Sequence, residues 1–300
     1  MRTRIITAIV ALCLFIPFLI LSGTPALLVL ASVLNIVAVC ELFACVANGR
    51  AGQNGGPQNS LPWHKKLWQR LWSLNPFALV PSVIFAGVMP IIARYSLGIN
   101  FFRNIFVLFF TYMFTILSVA VFMIKSYPVA DAAFEIVMTL YISYGFSSLV
   151  LLRDMPYGEY VYLIAFIIPW MSDAGAYFIG CNFGKHKLNP AVSPKKTIEG
   201  AIGGILVGTV SVLIYGFIVE RIFALRPQYG WLAFAGFVIS VLSQCGDLVA
   251  SLIKRHYNVK DYGYIFPGHG GVLDRFDSVI AAAPFLYILC LMLDRLSLFA

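Results

Sequence analysis

Long apolar runs separated by short polar segments set the pattern of this chain. A helix needs roughly 20 apolar residues to cross the hydrocarbon core of a bilayer. Nine runs approach or exceed that length, at about 4–22, 25–47, 76–93, 101–124, 131–152, 160–181, 200–224, 231–253 and 276–293. Backbone amides facing lipid must be satisfied within their own segment, so such runs predict helices. The expected fold class is all-α, a polytopic transmembrane helix bundle of about nine spans. Residues 1–150 form an N-terminal transmembrane region carrying a polar insert near 48–75, and residues 151–300 form a C-terminal region in which polar residues collect. The insert opens with NGRAGQNGGPQN, a flexible linker by composition. It continues with Trp63, Trp68 and Trp72 among Lys65, Lys66 and Arg70, which suits a short helix at the headgroup level; a mobile loop is the rival reading.

Composition agrees with the pattern. The chain is 60% hydrophobic and only 11% charged, with a mean hydropathy of +0.87, whereas a soluble domain is nearer half apolar and a quarter charged. Arg2 and Arg4 precede an apolar run with no clear small-residue cleavage site after it, so the first segment is expected to stay in the mature protein. Cys13, Cys40, Cys45, Cys181, Cys245 and Cys290 are scattered over apolar segments without metal-ligand spacing and read as packing residues. The net charge of +8 does not point to nucleic acid, because the excess lies at membrane borders.

That charge also gives an orientation. With a cytoplasmic N-terminus, fifteen basic residues fall on the cytoplasmic side, among them Lys125, Lys195, Lys254 and Lys260, and six fall outside: Arg94, Arg103, Arg153, Arg221, Arg226 and Arg295. The asymmetry follows the positive-inside rule. Glu41, Asp131 and Glu135 are intramembrane acids, functional candidates by default. All three fall near cytoplasmic ends of their runs and are read as solvated helix ends.

Three polar clusters come to the same face. In the sixth run, Ser172 and Asp173 precede Ala174, Gly175 and Ala176, either a helix-packing motif with a solvated acid or part of a site. The loop after it carries Ser193, Lys195, Lys196 and Thr197 just before Gly200, Gly203 and Gly204. Lysines beside a helix N-terminus attract an anion such as a polyphosphate. The spacing is not that of a Walker A loop. In the eighth run Gln244, Asp247 and Ser251 line one helix face.

Charge is most concentrated from Ser251 to Asp277, which holds Lys254, Arg255, Lys260, Asp261, His269, Asp274, Arg275 and Asp277. Gly268, Gly270 and Gly271 bracket His269 and let the backbone come close to a ligand. Basic residues pair with phosphate oxygens, whereas carboxylates tolerate them only with a hard cation between. Both signs together suggest phosphate plus metal. Asp247 and Asp274 can supply an acidic metal site, against a purely structural pairing with Arg255 or Arg275. His64 and His186 lie in basic surroundings and read as solvated, and His256 sits in the central loop. His269 is either a phosphate donor or a backbone-bonded turn histidine.

These residues resemble the phosphatidate cytidylyltransferases, or CDP-diacylglycerol synthases. Ser251, Lys254, Arg255, Lys260, Asp261, His269, Gly270, Gly271, Asp274, Arg275 and Asp277 match the family signature, and SPKKTIEG from Ser193, SDAGAY around Asp173 and QCGD at Asp247 look like further family motifs. The likeness is close over the C-terminal half; before it the chain agrees only in being membrane spans, and the polar insert looks unusual. The resemblance implies transfer of the cytidylyl group of CTP to phosphatidate, giving CDP-diacylglycerol and pyrophosphate, by a membrane-embedded dimer that uses Mg2+ and admits a second cation. Carried over by motif, Asp247 and Asp274 are metal ligands, with Asp173 and Asp277 as second or alternate ligands. Lys195, Lys196, Lys254, Arg255, Lys260 and Arg275 hold triphosphate and phosphatidate, while Ser193, Thr197 and His269 orient phosphate oxygens. Asp261, Gly270 and Gly271 belong to the same site. The location implied is the cell membrane, a bacterial inner membrane, with the active site facing the cytoplasm. Two alternatives remain at this point: a CTP-dependent lipid kinase or a cytidylyltransferase for another lipid phosphate, and a transporter. A transporter carries its polar site near mid-membrane, often within repeated halves; here the polar residues crowd one face and no repeat is visible.

Overall fold

A computed structural model of the chain describes residues 16–53, 75–96, 99–266, 270–293 and 298–299. Its long elements are α1 (Ala26–Gln53), α2 (Pro76–Tyr95), α3 (Ile99–Phe122), α4 (Val129–Arg153), α5 (Gly158–Phe183), α6 (Ile198–Phe223), α7 (Tyr229–His256) and α8 (Leu273–Met292), with two short strands, β1 (Lys187–Asn189) and β2 (Ser193–Thr197), between α5 and α6. Among the described residues, eight helices are long and apolar enough to cross a membrane. They coincide with the second to ninth apolar runs, and the all-α polytopic architecture stands. The first run, at 4–22, and most of the insert, including the tryptophan-rich segment and His64, lie outside the described residues. Where the insert begins, α1 runs on to Gln53, so its first residues are helical instead of linker.

Contacts divide the chain into two compact units, one of residues 1–150 and 253–276, the other of residues 151–252 and 277–300.

In the first unit α1 packs on α2 and α2 on α3. Asn75 starts α2 by accepting the Phe77 N–H at 3.1 Å, and Pro76 sits at the first helical position, where its missing N–H costs nothing. Polar side chains tie the helices together. Asn35 of α1 donates to the Ala86 carbonyl of α2 at 2.7 Å and accepts from Ser143 of α4 at 3.2 Å; Ser82 of α2 meets the Tyr112 hydroxyl of α3 at 3.0 Å. In a bilayer, where apolar packing alone gives little preference for protein over lipid, such bonds select neighbours. Along α3, Phe102, Phe106, Phe110 and Phe114 recur every four residues and are all exposed, an outward apolar stripe suited to lipid. Two acids read from the sequence as solvated ends are buried here. Glu41 of α1 is 5% exposed and Glu135 of α4 is 3% exposed. Glu135 accepts the hydroxyl of buried Tyr127, and Glu41 is bonded to backbone N–H groups described below. Asp131 is half-buried in the first turn of α4.

In the second unit α5 and α6 form the closest helix pair. Small residues make this possible: a Cβ at Gly200 would lie 2.7 Å from the Ala176 carbonyl, and one at Gly203 would run into Ile179. The connection between them, expected as a loop, is an antiparallel hairpin pairing Lys187 with Thr197 and Asn189 with Ser193. Glu199, in the first turn of α6, anchors its base by accepting the N–H groups of Lys185 and His186 at 3.1 and 3.2 Å. It also meets His186 Nδ1 at 2.6 Å, so that exposed histidine has a carboxylate partner.

Candidate active site

The site is built at helix ends. In the second unit, Thr197 caps α6 by accepting the Gly200 N–H at 3.1 Å. Lys196, the residue before the cap, reaches Asp247 of α7, with Nζ to Oδ2 at 2.6 Å. Both side chains are about a quarter exposed, at 27% and 24%. Ser251, one turn on, stands 3.4 Å from the other Asp247 oxygen. A turn before, Gln244 donates to Ser172 Oγ at 3.0 Å and to the Ala201 carbonyl at 3.1 Å, locking α7 to α5 and α6. The face of Gln244, Asp247 and Ser251 expected from their spacing is therefore real. Asp173 accepts the Ser278 hydroxyl at 2.8 Å, and Asp277, 9% exposed, accepts the Ser278 N–H at 2.9 Å. Ser278 links these two acids and was not among the residues the sequence pointed to. Lys195 and Ser193 lie on β2, Lys195 exposed and Ser193 half-buried.

In the first unit, α7 ends in a Schellman motif: the Val259 N–H bonds the Lys254 carbonyl at 2.9 Å, the Asn258 N–H bonds the Arg255 carbonyl at 3.1 Å, and Asn258 adopts φ +53°. The helix includes His256, which the sequence had assigned to the loop. The motif turns the chain so that the following segment folds back over Lys254. There Lys254 Nζ lies 2.9 Å from Asp274 Oδ1 and 5.3 Å from the centre of the Tyr262 ring. This pair is nearly dry, with side-chain exposures of 12% and 3%. Asp274 Oδ2 accepts N–H groups from Tyr262 at 2.8 Å, Gly271 at 2.9 Å and Gly263 at 3.4 Å. Three amides and an ammonium thus surround this carboxylate. Gly270 has φ +89°, and a Cβ there would lie 2.8 Å from Asp274 Oδ2. Glycine at 270 thus satisfies both the backbone conformation and the close approach. Arg255, Lys260 and Arg275 are exposed and Asp261 is half-buried. His269 lies outside the described residues.

The two central acids are paired, and their partners are lysines, where Arg255 or Arg275 was the alternative read from sequence. Among the described residues no three His, Cys, Asp or Glu side chains stand close enough to hold a metal ion by themselves. Mg2+ has no need of such a cage, since it is bound by one or two carboxylates with substrate phosphates and water completing the shell. Carboxylate oxygens that already face an ammonium at 2.6 and 2.9 Å are hard donors of the right chemistry.

The model of the cytidylyltransferase family matches residues 2–293. The chain belongs to the cytidylyltransferase family. Similar proteins include those named phosphatidate cytidylyltransferase from Staphylococcus haemolyticus, 34% identical over 292 residues, 96% of this chain and 98% of the relative. The protein of that name from Staphylococcus aureus strain COL is 34% identical over 296 residues, and that from Staphylococcus epidermidis 35% over 290, each again covering 96% of this chain and 98% of the relative. The match takes in the first 150 residues of this cytidylyltransferase, where the sequence alone had offered only spans. Glu41 lies in that half. Its signal was a lone acid in an apolar run, and the backbone it meets lies more than two hundred residues away in sequence.

Proposed function

We propose that this cytidylyltransferase transfers the cytidylyl group of CTP to phosphatidate, giving CDP-diacylglycerol and pyrophosphate. The observation that carries the reading is that the two acids of the signature, Asp247 and Asp274, each face a lysine at ion-pair distance at a helix end. The names of the near full-length relatives supply the lipid substrate.

The chemistry asks for little covalent participation by protein. A phosphate monoester has a second pKa of about 6, so phosphatidate offers an ionised oxygen near neutral pH without a strong base. That oxygen attacks the α-phosphorus of CTP; a new P–O bond forms, the bond from the α-phosphorus to the oxygen bridging toward the β-phosphate breaks, and pyrophosphate leaves with the electron pair. Asp247 and Asp274 are the residues that would hold Mg2+, which when bound neutralises charge on the polyphosphate. Lys196 and Lys254 neutralise these carboxylates in turn. When a phosphate oxygen competes for their ammonium groups, the lysines move from carboxylate to substrate with a small displacement. Lys195, Arg255, Lys260 and Arg275, each exposed, are the further cations proposed to meet phosphate charge.

We infer that the site faces the cytoplasm of a bacterial inner membrane, on the strength of the fifteen-to-six distribution of basic residues. A membrane-embedded homodimer, with lipid around it and no nucleic-acid partner, belongs to the same reading.

Following the label tests it. With purified protein, phosphatidate and Mg2+, label from the α position of CTP should enter the lipid, and label from the γ position should leave in pyrophosphate. A lipid kinase gives the reverse. Label from the γ position recovered in lipid overturns the proposal, as does the absence of turnover with CTP and phosphatidate.

A further inference from the structure

Glu41 sits on α1, yet its bonds are made 231 and 232 residues later, where its two oxygens accept the N–H groups of Val272 at 3.0 Å and Leu273 at 2.9 Å. Those N–H groups begin α8 and have no partner inside the helix, and the positive end of the helix dipole falls on them. Glu41 therefore caps α8 from another helix. Such caps normally come from the residue next to the helix start; here Val272 occupies that position and has no side-chain acceptor. The fit is close on both sides, since a Cβ at Gly263 or at Gly271 would collide with the Glu41 carboxylate.

Burying a carboxylate in an apolar span is costly unless its bonds are complete, and a serine or aspartate at 272 would cap α8 without that cost. The arrangement has a consequence that a local cap lacks. Three successive N–H groups are shared between two carboxylates: that of Gly271 goes to Asp274 Oδ2, and those of Val272 and Leu273 go to Glu41. The segment cannot rotate without breaking both sets. Asp274 Oδ1 is left aimed at Lys254.

We propose that Glu41 is a positioning residue for cytidylyl transfer: by holding the amides of Val272 and Leu273 from α1, it fixes the direction in which Asp274 presents Oδ1 to Lys254 and to the phosphate and Mg2+ chemistry proposed there. The proposal rests on the reading of Asp274 given above. Glu41 touches no reacting atom. Its action runs through the backbone of 271–273.

The test uses the full-length protein and the variants Glu41→Gln and Gly263→Ala, with two measurements. The first is amide hydrogen exchange without nucleotide or metal. In Glu41→Gln the amide nitrogen confronts one of the two N–H groups, so exchange at 272 and 273 should rise about tenfold or more while α2 keeps its protection. The second is turnover. Loss of a group that orients a metal-binding carboxylate typically lowers metal affinity or activity by about 10–100-fold, so kcat should fall within that range and the Mg2+ concentration for half-maximal rate should rise. KM for phosphatidate should stay within about twofold, because no lipid contact is removed. Gly263→Ala, which keeps the Glu41 carboxylate but displaces it, should show the same signature more weakly. Unchanged exchange at 272 and 273, or unchanged kcat and Mg2+ dependence in either variant, overturns the proposal. So does a general rise in exchange across α2 with kinetics per folded molecule preserved, since that describes a purely structural role. An inactive wild-type protein would instead count against the assigned reaction, and the exchange measurement would still decide whether Glu41 fixes the segment.

Discussion

Asp247 and Asp274 carry the same proposed role in different surroundings, and the difference predicts how their variants separate. The Lys196–Asp247 pair is about a quarter exposed, so water screens it and its contribution to stability is about 0–1 kcal/mol. The Lys254–Asp274 pair is nearly buried, and breaking such a pair by removing one partner costs about 3–5 kcal/mol. Asp274→Asn would turn its amide nitrogen toward the Lys254 ammonium or toward the three backbone N–H groups, setting donor against donor in either orientation. Both Asp247→Asn and Asp274→Asn are expected to abolish turnover. Only Asp274→Asn should also lower the unfolding temperature in detergent by several degrees. Adding Lys254→Met to it should recover stability without activity, because an apolar replacement removes the second charge as well. Near-normal activity of either single variant at low Mg2+ would remove that residue from the metal site, and equal unfolding temperatures would contradict the burial argument.

At the scale of elements, the α5–α6 hairpin shows why spacing of small residues matters more than hydrophobicity in placing the lysines of β2. Gly200 packs against the Ala176 carbonyl, with Thr197 Oγ1 2.9 Å and Gly180 Cα 3.1 Å from where its Cβ would be. A methyl group at 200 thus meets backbone on one side and the α6 cap on the other. Overpacking of this kind costs about 1–3 kcal/mol. Gly200→Ala should therefore lower thermal stability and, by shifting Thr197 and the adjoining Lys196, reduce activity. Gly230, at the start of α7, has nothing within 4 Å of its Cβ position, and Gly230→Ala should be neutral in both measurements. Equal behaviour of the two variants would show that close helix approach is not what sets the β2 geometry. This part of the fold was half legible. The glycines and the approach they permit could be read from sequence, but β1 and β2 could not. Three and five residues of mostly polar character carry no usable alternation, and their pairing depends on Glu199 holding the N–H groups at the base.

For the whole molecule, eight of the nine expected spans could be read directly because length and hydropathy are local properties of the chain. The acids were harder for the opposite reason. Glu41 and Glu135 looked like solvated ends because their partners, the 272 and 273 amides and the Tyr127 hydroxyl, are set by tertiary packing. Asp274 was singled out by its cluster, but its lysine partner was not, because the Schellman turn that brings Lys254 to it is a property of backbone conformation. Orientation can be argued at this scale alone. Helices that cross in series put every second connection on the same side. If all the helices cross a bilayer in this way, the connections at 154–157 and 224–228 are expected on one side of it and those at 123–128, 184–197 and 257–272 on the other. Lys125, Lys185, Lys187, Lys195, Lys196 and Lys260 all fall in the second group, and Arg226 falls in the first. The orientation proposed above, argued from the positive-inside rule, puts the lysine-rich side in the cytoplasm, and labelling can test it. In a chain whose own cysteines have been replaced, cysteines introduced at Lys195 and Lys260 should react with an impermeant thiol reagent only after the membrane is opened, and one at Arg226 should react in intact cells. Labelling of 195 and 260 from opposite sides would break the series of crossings itself, and with it the proposal that the β2 lysines and the 257–272 segment serve one substrate.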